Sequence, residues 1–226
     1  MIDFNYIEQG DCLELMKKIP DASIDMILCD PPYTSPIVTG FGRNVVKNVA
    51  DLSLQETFMK VLKMEFERIL KPNGSVFIFC DDKYYPSIFR AFYDWKNCQM
   101  VVWDKCSIGM GKPFRKRHEL IFYGNRETID YNRSEHITHY PTVLEYKPVK
   151  QSERLHPAQK PTDLLQDLLI GFSNEGDVIL DPFMGSGSTC VACVNTNRRY
   201  IGFELSEEYF NIACQRLDEA ENKVGI

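Results

Sequence analysis

Short apolar runs alternate with helical patterns along most of this chain of 226 residues. This alternation is typical of parallel strands that are joined by crossover helices. It predicts an α/β fold with a mostly parallel, seven-stranded sheet and helices on both faces. The predicted strands cover residues 4–9, 24–29, 75–80, 100–103, 119–123, 178–180 and 200–203.

Two later segments carry apolar side chains on one helical face. Ser206, followed by Glu207 and Glu208, is a favourable N-cap with acids in the positive first turn of the second helix. The segment between residues 100 and 123 lacks a helical pattern and contains the glycine-bearing loop SIGMGKPFRKR, so it predicts a hairpin. The apolar faces consist of Leu164, Leu165, Leu168, Leu169 and Phe172, and of Tyr209, Phe210, Ala213 and Leu217.

The length suits one α/β domain, and we predict a single domain over residues 1–226. Residues 125–155 are polar and aperiodic, which predicts a short inserted region. No apolar run approaches the roughly 18 to 20 residues that span a bilayer, and the N-terminus lacks the order of a signal peptide. We therefore expect a cytoplasmic protein with no membrane partner.

The eight cysteines are scattered along the chain, as expected of reduced, buried thiols. Only Cys190 and Cys193 form a C-x-x-C, and no second pair or nearby histidine completes a zinc site. We predict that this pair packs a helix and that there is no metal site.

The net charge of −6 is unevenly distributed. Residues 104–118 contain five basic side chains and one acid, Asp104. Residues 204–222 contain six acids and one basic side chain, Arg216. This asymmetry predicts a basic face on an acidic body, although a solvated loop would show the same composition. The basic residues of the first segment are Lys105, Lys112, Arg115, Lys116 and Arg117, and residues 34–50 add Arg43 and Lys47.

Two strand ends look alike. LCDPPYTSP, from residue 28, and VILDPFMGSGST, from residue 178, each place Asp-Pro and an aromatic residue after an apolar strand. Pro31 and Pro32 cannot continue a central strand, so they hold the chain rigidly. Gly185 and Gly187 permit a close approach of the backbone to a ligand. If the two strands are neighbours at a topological switch point, their ends lie side by side and form a site.

Glu204 ends the next strand about 20 residues after this glycine turn, where an acid can hydrogen-bond to ribose hydroxyls. A helix-capping acid is the alternative. A phosphate-binding P-loop is excluded because no Gly-Lys-Ser/Thr follows the glycines, and GSGST lacks the third glycine of a typical nicotinamide site. These observations indicate a nucleoside cofactor and leave nicotinamide binding, as in a small-molecule oxidoreductase, as a weaker alternative.

Taken in order, these motifs resemble those of the β-class amino-methyltransferases that act on DNA bases, in which DPPY precedes the glycine-rich loop. The resemblance covers most of the chain. It is carried by GDCLELMKKIPDASIDMILCDPPY, LKPNGSVFIFC, the HPAQKP segment that begins at His156, LDPFMGSGST and YIGFELSEEYFNIA.

The resemblance implies S-adenosyl-L-methionine as the cofactor and a permuted Rossmann-like fold, in which strand 4–9 lies beside strand 200–203. It implies that Asp11 contacts the adenine end of the cofactor and that Glu204 contacts the ribose. Lys160 and Thr162 would lie near the cofactor's carboxylate. The other cofactor-binding residues implied are Cys12, Phe183, Gly185, Ser186, Gly187 and Ser188.

The same resemblance implies a mechanism. An exocyclic amino group is a poor nucleophile, and acceptors at Asp30 and at the Pro31 carbonyl would localise its lone pair. Pro32 would hold these acceptors still, and Tyr33 would stack on a base that is flipped out of double-stranded DNA. The basic residues above and Phe114 would grip the DNA, mainly at its phosphates.

DPPY resembles the adenine-N6 members more than the cytosine-N4 members, which tend to carry serine at the first position. Site-specific methylation of adenine N6 is therefore the expected function, with residues 125–155 as a short target-recognition region. Cytosine-N4 methylation and a catalytically silent DNA-binding subunit remain alternatives. Cytosine-C5 chemistry is disfavoured because Pro-Cys is absent. A homodimer and a companion restriction endonuclease are further partners to consider.

Overall fold

A computed structural model describes residues 4–32, 52–109, 111–127 and 140–225. At its centre lies a sheet of eight strands in the order β1-β8-β7-β2-β3-β5-β4-β6. The strands are β1 (Asn5–Gln9), β2 (Ile24–Cys29), β3 (Leu70–Cys80), β4 (Asn97–Asp104), β5 (His118–Asn125), β6 (Val143–Glu145), β7 (Val178–Asp181) and β8 (Arg199–Glu204).

Helices connect most of these strands, and a 3₁₀ turn covers Gln151–Glu153. The two later helices lie where the apolar periodicity predicted them, and the Ser206 side chain accepts the N-capping hydrogen bond from the Tyr209 backbone. The helices are α1 (Cys12–Met16), α2 (Leu52–Ile69), α3 (Tyr85–Phe92), α4 (Thr162–Phe172), α5 (Ser188–Asn195) and α6 (Glu207–Val224).

The predicted mostly parallel sheet with one hairpin is confirmed. Strands β1, β8, β7, β2 and β3 run parallel, and β5 pairs antiparallel with both β3 and β4. The predicted count of seven strands was wrong, because β6 adds an eighth strand beside β4. Its three residues contain one buried side chain, Leu144, so no alternation in the sequence marks the strand.

Alternate side chains of the strands enter two separate cores, one on each face of the sheet. Helices α1, α2 and α3 cover the first face, and α4, α5 and α6 cover the second. Within β2, Ile27 and Cys29 belong to the first core, whereas Met26 and Leu28 belong to the second. The layers are therefore helices, sheet and helices, as the sequence predicted.

The sheet has its switch point between β2 and β7. These two parallel strands are neighbours, and the chain continues from β2 to β3 on one side but from β7 to β8 on the other. Their carboxyl ends, Asp-Pro-Pro and the glycine turn, therefore lie side by side, as predicted. Strand β1 lies parallel to β8, which is the neighbour that the permuted order requires. Among the described helices, none is long and apolar enough to cross a membrane.

Candidate active site

Asp30 follows the last residue of β2 and is held from one side. Its Oδ2 atom lies 2.5 Å from Lys160 Nζ, and the side chains of Asp30 and Lys160 are only 18% and 8% exposed. The other oxygen, Oδ1, is buried and accepts no hydrogen bond from any residue in the described part of the chain. Burial raises the pKa of Asp30, and the Lys160 ammonium opposes that rise. The carboxylate thus has one oxygen fixed and one available.

Lys160 also contacts a second carboxylate. Its Nζ lies 3.3 Å from Glu119 Oε2, and Glu119 Oε1 in turn accepts a hydrogen bond of 2.6 Å from Lys105. Burial alone would lower the pKa of Lys160, but the two carboxylates raise it above its ordinary value. Lys105, Glu119, Lys160 and Asp30 therefore form a row of alternating charges, which we call the charge chain.

Sequence reasoning missed Glu119, although a signal for it exists. Side chains two residues apart on a strand share a face. Glu119 therefore lies on the same face of β5 as Ile121. Asp30, which directly follows β2, lies on the same face of the sheet as Leu28. Both Ile121 and Leu28 belong to the core beneath α4. The predicted contact of Lys160 with the cofactor's carboxylate stays a prediction, since the described contacts of its ammonium are with Asp30, Glu119 and the Phe79 ring.

Of the remaining residues in the proline turn, Pro31 is buried and Pro32 is half-buried. Tyr33, the predicted stacking residue, lies outside the described residues, as do Arg43 and Lys47. The predictions for these three residues stay predictions.

The glycine turn after β7 uses the conformations that the sequence predicted. Gly185 and Gly187 have φ angles of +53° and +78°, in the left-handed region that favours glycine. The Gly185 amide donates a 2.9 Å hydrogen bond to Glu204 Oε2. A Cβ atom on Gly187 would lie 3.0 Å from that of Ala213. The turn is therefore tied to the end of β8 and packs closely against α6.

Glu204 and Asp11 lie at adjacent strand ends, because Gln9 is paired with Glu204. Glu204 Oε1 accepts a 2.7 Å hydrogen bond from the Ser206 amide, and Asp11 caps α1 by accepting from the Leu13 amide at 2.8 Å. Both carboxylates thus have a structural role, while each carboxylate oxygen can accept more than one hydrogen bond. Cys12 is buried beside Asp11, and burial raises the pKa of its thiol to about 12.

The two serines of the glycine turn face α6. Arg216 Nη1 donates to the hydroxyls of Ser186 and Ser188, both at 3.1 Å, and to the Ser186 carbonyl at 2.5 Å. Sequence analysis did not identify Arg216, because its partners lie about 30 residues away on another element. Thr162 is the first residue of α4. The centroid of the Phe183 ring lies 6.2 Å from that of Phe58 in α2.

His156 is another residue that sequence reasoning left without a role. Its ring meets the Tyr209 ring at 4.3 Å and 78°, and lies about 3.5 Å from where a Cβ atom of Gly185 would be. Burial and the nearby Lys160 lower the pKa of His156. A neutral imidazole therefore packs against the glycine turn.

The hairpin loop between β4 and β5 projects from the same edge of the sheet as Asp30, because Cys80 at the end of β3 pairs with Leu120. Most of its cations contact acids: Lys105 binds Glu119, Lys116 binds Asp82, and Arg117 Nε lies 2.7 Å from Asp104. The side chain of Arg115 donates to the Gly109 carbonyl. Lys112 is exposed, and Phe114 is 87% exposed.

The comparisons with known proteins assign the family. The N6_N4_Mtase family model, described as DNA methylase, matches residues 24–215. The chain is 33% identical to YubD of Escherichia coli (strain K12) over 92% of this chain and 88% of that protein. It is 29% identical to the DNA adenine methyltransferase YhdJ of the same organism, over 96% and 83% of the two chains. The chain therefore belongs to the N6/N4 DNA methylase family.

Solved structures support the fold. The M1.HpyAVI complex with S-adenosyl-L-methionine has a TM-score of 0.70 and 23% identity, and covers 94% of this chain and 98% of that one. The cytosine-N4-specific PvuII DNA methyltransferase has a TM-score of 0.77 and 16% identity, and covers 99% and 93%. The family uses S-adenosyl-L-methionine, so the predicted cofactor and the predicted methyltransferase fold are confirmed.

Proposed function

We propose that this DNA methyltransferase transfers a methyl group to the N6 amino group of an adenine that is flipped out of double-stranded DNA. The observation that carries the proposal is the state of Asp30: Lys160 holds Oδ2, while Oδ1 is buried with no hydrogen-bond partner among the described residues. A buried acceptor without a donor costs about 1–3 kcal/mol. An N–H of the target amino group is a donor that would remove this cost.

The cofactor would lie against the adjacent strand ends. The left-handed glycine turn permits close approach of a ligand to the backbone, and Glu204 and Asp11 place carboxylates where ribose hydroxyls and an adenine amino group need acceptors. Phe183 and Cys12 would add apolar contacts. Ser186 and Ser188 would act by shaping the turn through Arg216, and Lys160 and Thr162 would border the methionine end.

When bound, S-adenosyl-L-methionine supplies an electrophilic methyl group. The chain's own residues act on the amino group: Asp30 Oδ1 and the Pro31 carbonyl accept its two N–H groups and turn its lone pair away from the ring. The nitrogen loses a proton as it gains the methyl group, and Asp30 Oδ1 is the acceptor for that proton. Pro32 keeps both acceptors in place, and Tyr33 stacks on the base.

Adenine is favoured over cytosine by two observations. The motif at residues 30–33 begins with Asp, as in the adenine-N6 members, and YhdJ, with 29% identity, is an adenine methyltransferase. The similarity to the cytosine-N4-specific PvuII enzyme, at 16% identity, concerns the fold. Cytosine N4 is the second candidate, because its amino group can use the same two acceptors. A catalytically silent DNA-binding subunit is a third, and the presence of both Asp-Pro-Pro-Tyr and the glycine turn argues against it.

DNA would lie across the edge of the sheet that carries Asp30 and the hairpin loop. Of the predicted DNA contacts that the structure describes, Lys112, Arg115 and Phe114 are the best placed, because Lys105, Lys116 and Arg117 contact carboxylates. Arg43 and Lys47 would add further phosphate contacts. Residues 125–155 would take part in target recognition within a single domain. A homodimer and a companion restriction endonuclease stay predictions.

The test is to incubate the protein with unmethylated duplex DNA and isotopically labelled S-adenosyl-L-methionine, digest the DNA to nucleosides, and identify the labelled base by mass spectrometry. Labelled N6-methyladenine is the expected product. Labelled N4-methylcytosine would instead show that the target base is cytosine. An absence of labelled nucleoside, with an Asp30→Asn variant as the blank, would favour the silent subunit.

A further inference from the structure

The charge chain, made of Lys105, Glu119, Lys160 and Asp30, comes from four separate elements. Asp30 follows β2, Glu119 lies in β5, Lys105 follows β4, and Lys160 precedes α4. Lys160 and Asp30 are separated by 130 residues in the sequence. The contacts of 2.5, 3.3 and 2.6 Å run without interruption from the half-buried Asp30 to the partly exposed Lys105. Such an arrangement is expensive to bury unless every charge has a partner.

An ammonium bound to Asp30 alone would have two opposing effects. It favours the ionised carboxylate, which can accept an N–H group. It also draws negative charge toward Oδ2, which weakens Oδ1 as an acceptor. Glu119 counteracts the second effect, because its Oε2 forms an ion pair with the same ammonium at 3.3 Å, although the contact is not a hydrogen bond. Lys105, in turn, keeps Glu119 ionised, and the pKa of Glu119 is lowered by its two lysines against the effect of burial.

We propose that Lys160 and Glu119 are positioning residues for methyl transfer: Lys160 fixes one oxygen of Asp30, and Glu119 shares that ammonium, so that the other oxygen stays a strong acceptor for the target amino group. The proposal rests on the proposed function and adds Glu119, for which the resemblance implied no role. Glu119 acts through Lys160 and touches neither the base nor the cofactor.

The proposal predicts opposite changes from two substitutions. Glu119→Gln removes a negative charge near Asp30 and lowers the pKa of its carboxyl. Lys160→Gln removes the positive charge that favours the ionised carboxylate and therefore raises that pKa. A purely structural role for Glu119 gives no reason for a lower pKa of Asp30 to be accompanied by a lower kcat at unchanged KM. Glu119→Gln should lower kcat about tenfold with KM unchanged for both DNA and cofactor.

The charged and titratable groups that face Asp30 come from all the elements around it. Asp181 matters most for the experiment, because burial raises its pKa to about 7, and the two acids influence each other. Among the described residues, these groups are Lys160, Glu119, Lys105, Asp181, Cys29 and Cys80.

The direct measurement is a ¹³C NMR titration of the Asp30 carboxyl carbon in protein labelled at aspartate, without cofactor or DNA. The Asp30→Asn variant identifies the Asp30 signal and separates it from that of Asp181. We expect a lower midpoint in Glu119→Gln, a higher one in Lys160→Gln, and midpoints near that of the parent in the charge-conserving Glu119→Asp and Lys160→Arg. An unchanged or raised midpoint in Glu119→Gln would overturn the proposal.

Glu65→Gln is the matched control. Glu65 is 26% exposed and binds Arg68, much as Glu119 is 21% exposed and binds Lys105, but it lies on α2. It should change neither the Asp30 midpoint nor kcat. If the parent protein labels no DNA, the proposed function is overturned, and with it the role of these residues in methyl transfer. If the parent is active but the Asp30 midpoint in Glu119→Gln does not fall, this proposal alone is overturned.

Discussion

The two strand ends at the switch point share Asp-Pro and a following aromatic residue, but their carboxylates are in opposite situations. Asp30 is paired with Lys160, and one of its oxygens is without a donor among the described residues. Asp181 has no lysine among its contacts in the described structure; its Oδ1 accepts from the Phe183 amide at 3.0 Å, Thr189 also donates to it, and burial raises its pKa to about 7. Similar sequences thus give one carboxylate with an oxygen that can accept from a substrate and one carboxylate that supports a turn.

The presence or absence of a cation distinguishes the two acids. Both carboxyls are desolvated, but an ammonium in contact favours the charged form of Asp30, whereas Asp181 keeps its proton more readily. A charged carboxylate can accept both an N–H group and a proton, as methyl transfer to an amino group requires. A carboxyl that already accepts from its own turn stabilises the glycine turn instead.

The largest expected effect separates the two acids by activity. Asp30→Asn should lower the methylation rate by roughly 10²- to 10⁴-fold, as for the loss of an acid–base group, and leave cofactor binding largely intact. Asp181→Asn should lower it less than tenfold, because an amide can still accept from the Phe183 amide. Single-turnover rates and a binding titration with the cofactor measure both. Equal losses in the two variants would remove the distinction between the strand ends.

The second effect concerns stability and pH. The folded-state pKa of Asp181 lies above its unfolded value, so its contribution to stability is present below about pH 4 and is lost as the pH rises through about 7. Between pH 5.5 and 8 the free energy of unfolding of the parent should fall by about 2 kcal/mol, and that of Asp181→Asn should not show this fall. Urea unfolding at the two pH values measures this loss. A parent and a variant with the same pH dependence would contradict the raised pKa.

A third substitution tests the glycine turn. Gly187→Ala should lower the free energy of unfolding by about 1–2 kcal/mol, because alanine is unfavourable in the left-handed conformation. The close contact with Ala213 should increase this loss, and cofactor binding should weaken. Gly176→Ala is the matched control, since its φ is +79° and a Cβ atom there would meet nothing within 4 Å. Chemical unfolding and a cofactor titration distinguish them. The turn would not be a cofactor site if both variants bound the cofactor as the parent does.

The smallest effect is expected in the hairpin loop. Replacing Lys112 and Arg115 by glutamine should reduce the salt slope of DNA binding by about two, because each phosphate that a cation neutralises adds about one to the slope. Replacing Lys116 and Arg117 should reduce it less, because both contact carboxylates. Fluorescence anisotropy at several salt concentrations gives the slopes. A slope that is unchanged in both double variants would place the DNA elsewhere.

Much of the fold could be predicted from the sequence, because each of the seven predicted strands is an apolar run with a visible period. The adjacent ends of β2 and β7 were predicted on the condition that the two strands are neighbours, and the strand order meets that condition. The eighth strand was missed because Val143–Glu145 buries one side chain and depends on its pairing with β4.

The site was less predictable, because its contacts join residues that are far apart in sequence. Counting charges along residues 104–118 gave a basic loop, whereas the fold brings Glu119 and Asp82 to Lys105 and Lys116. Lys160 was expected near the cofactor from its motif alone. Its ion pair with Asp30 depends on a contact between residues 130 positions apart, which no local pattern encodes.

The most direct test of the account is a crystal structure of the protein with a non-reactive analogue of S-adenosyl-L-methionine and a duplex that contains its target adenine. We expect a flipped adenine whose N6 atom lies about 3 Å from Asp30 Oδ1, with Lys160 still bound to Oδ2. A target amino group that makes no contact with Asp30, in a complex whose crystals methylate the base when the cofactor itself is added, would contradict it.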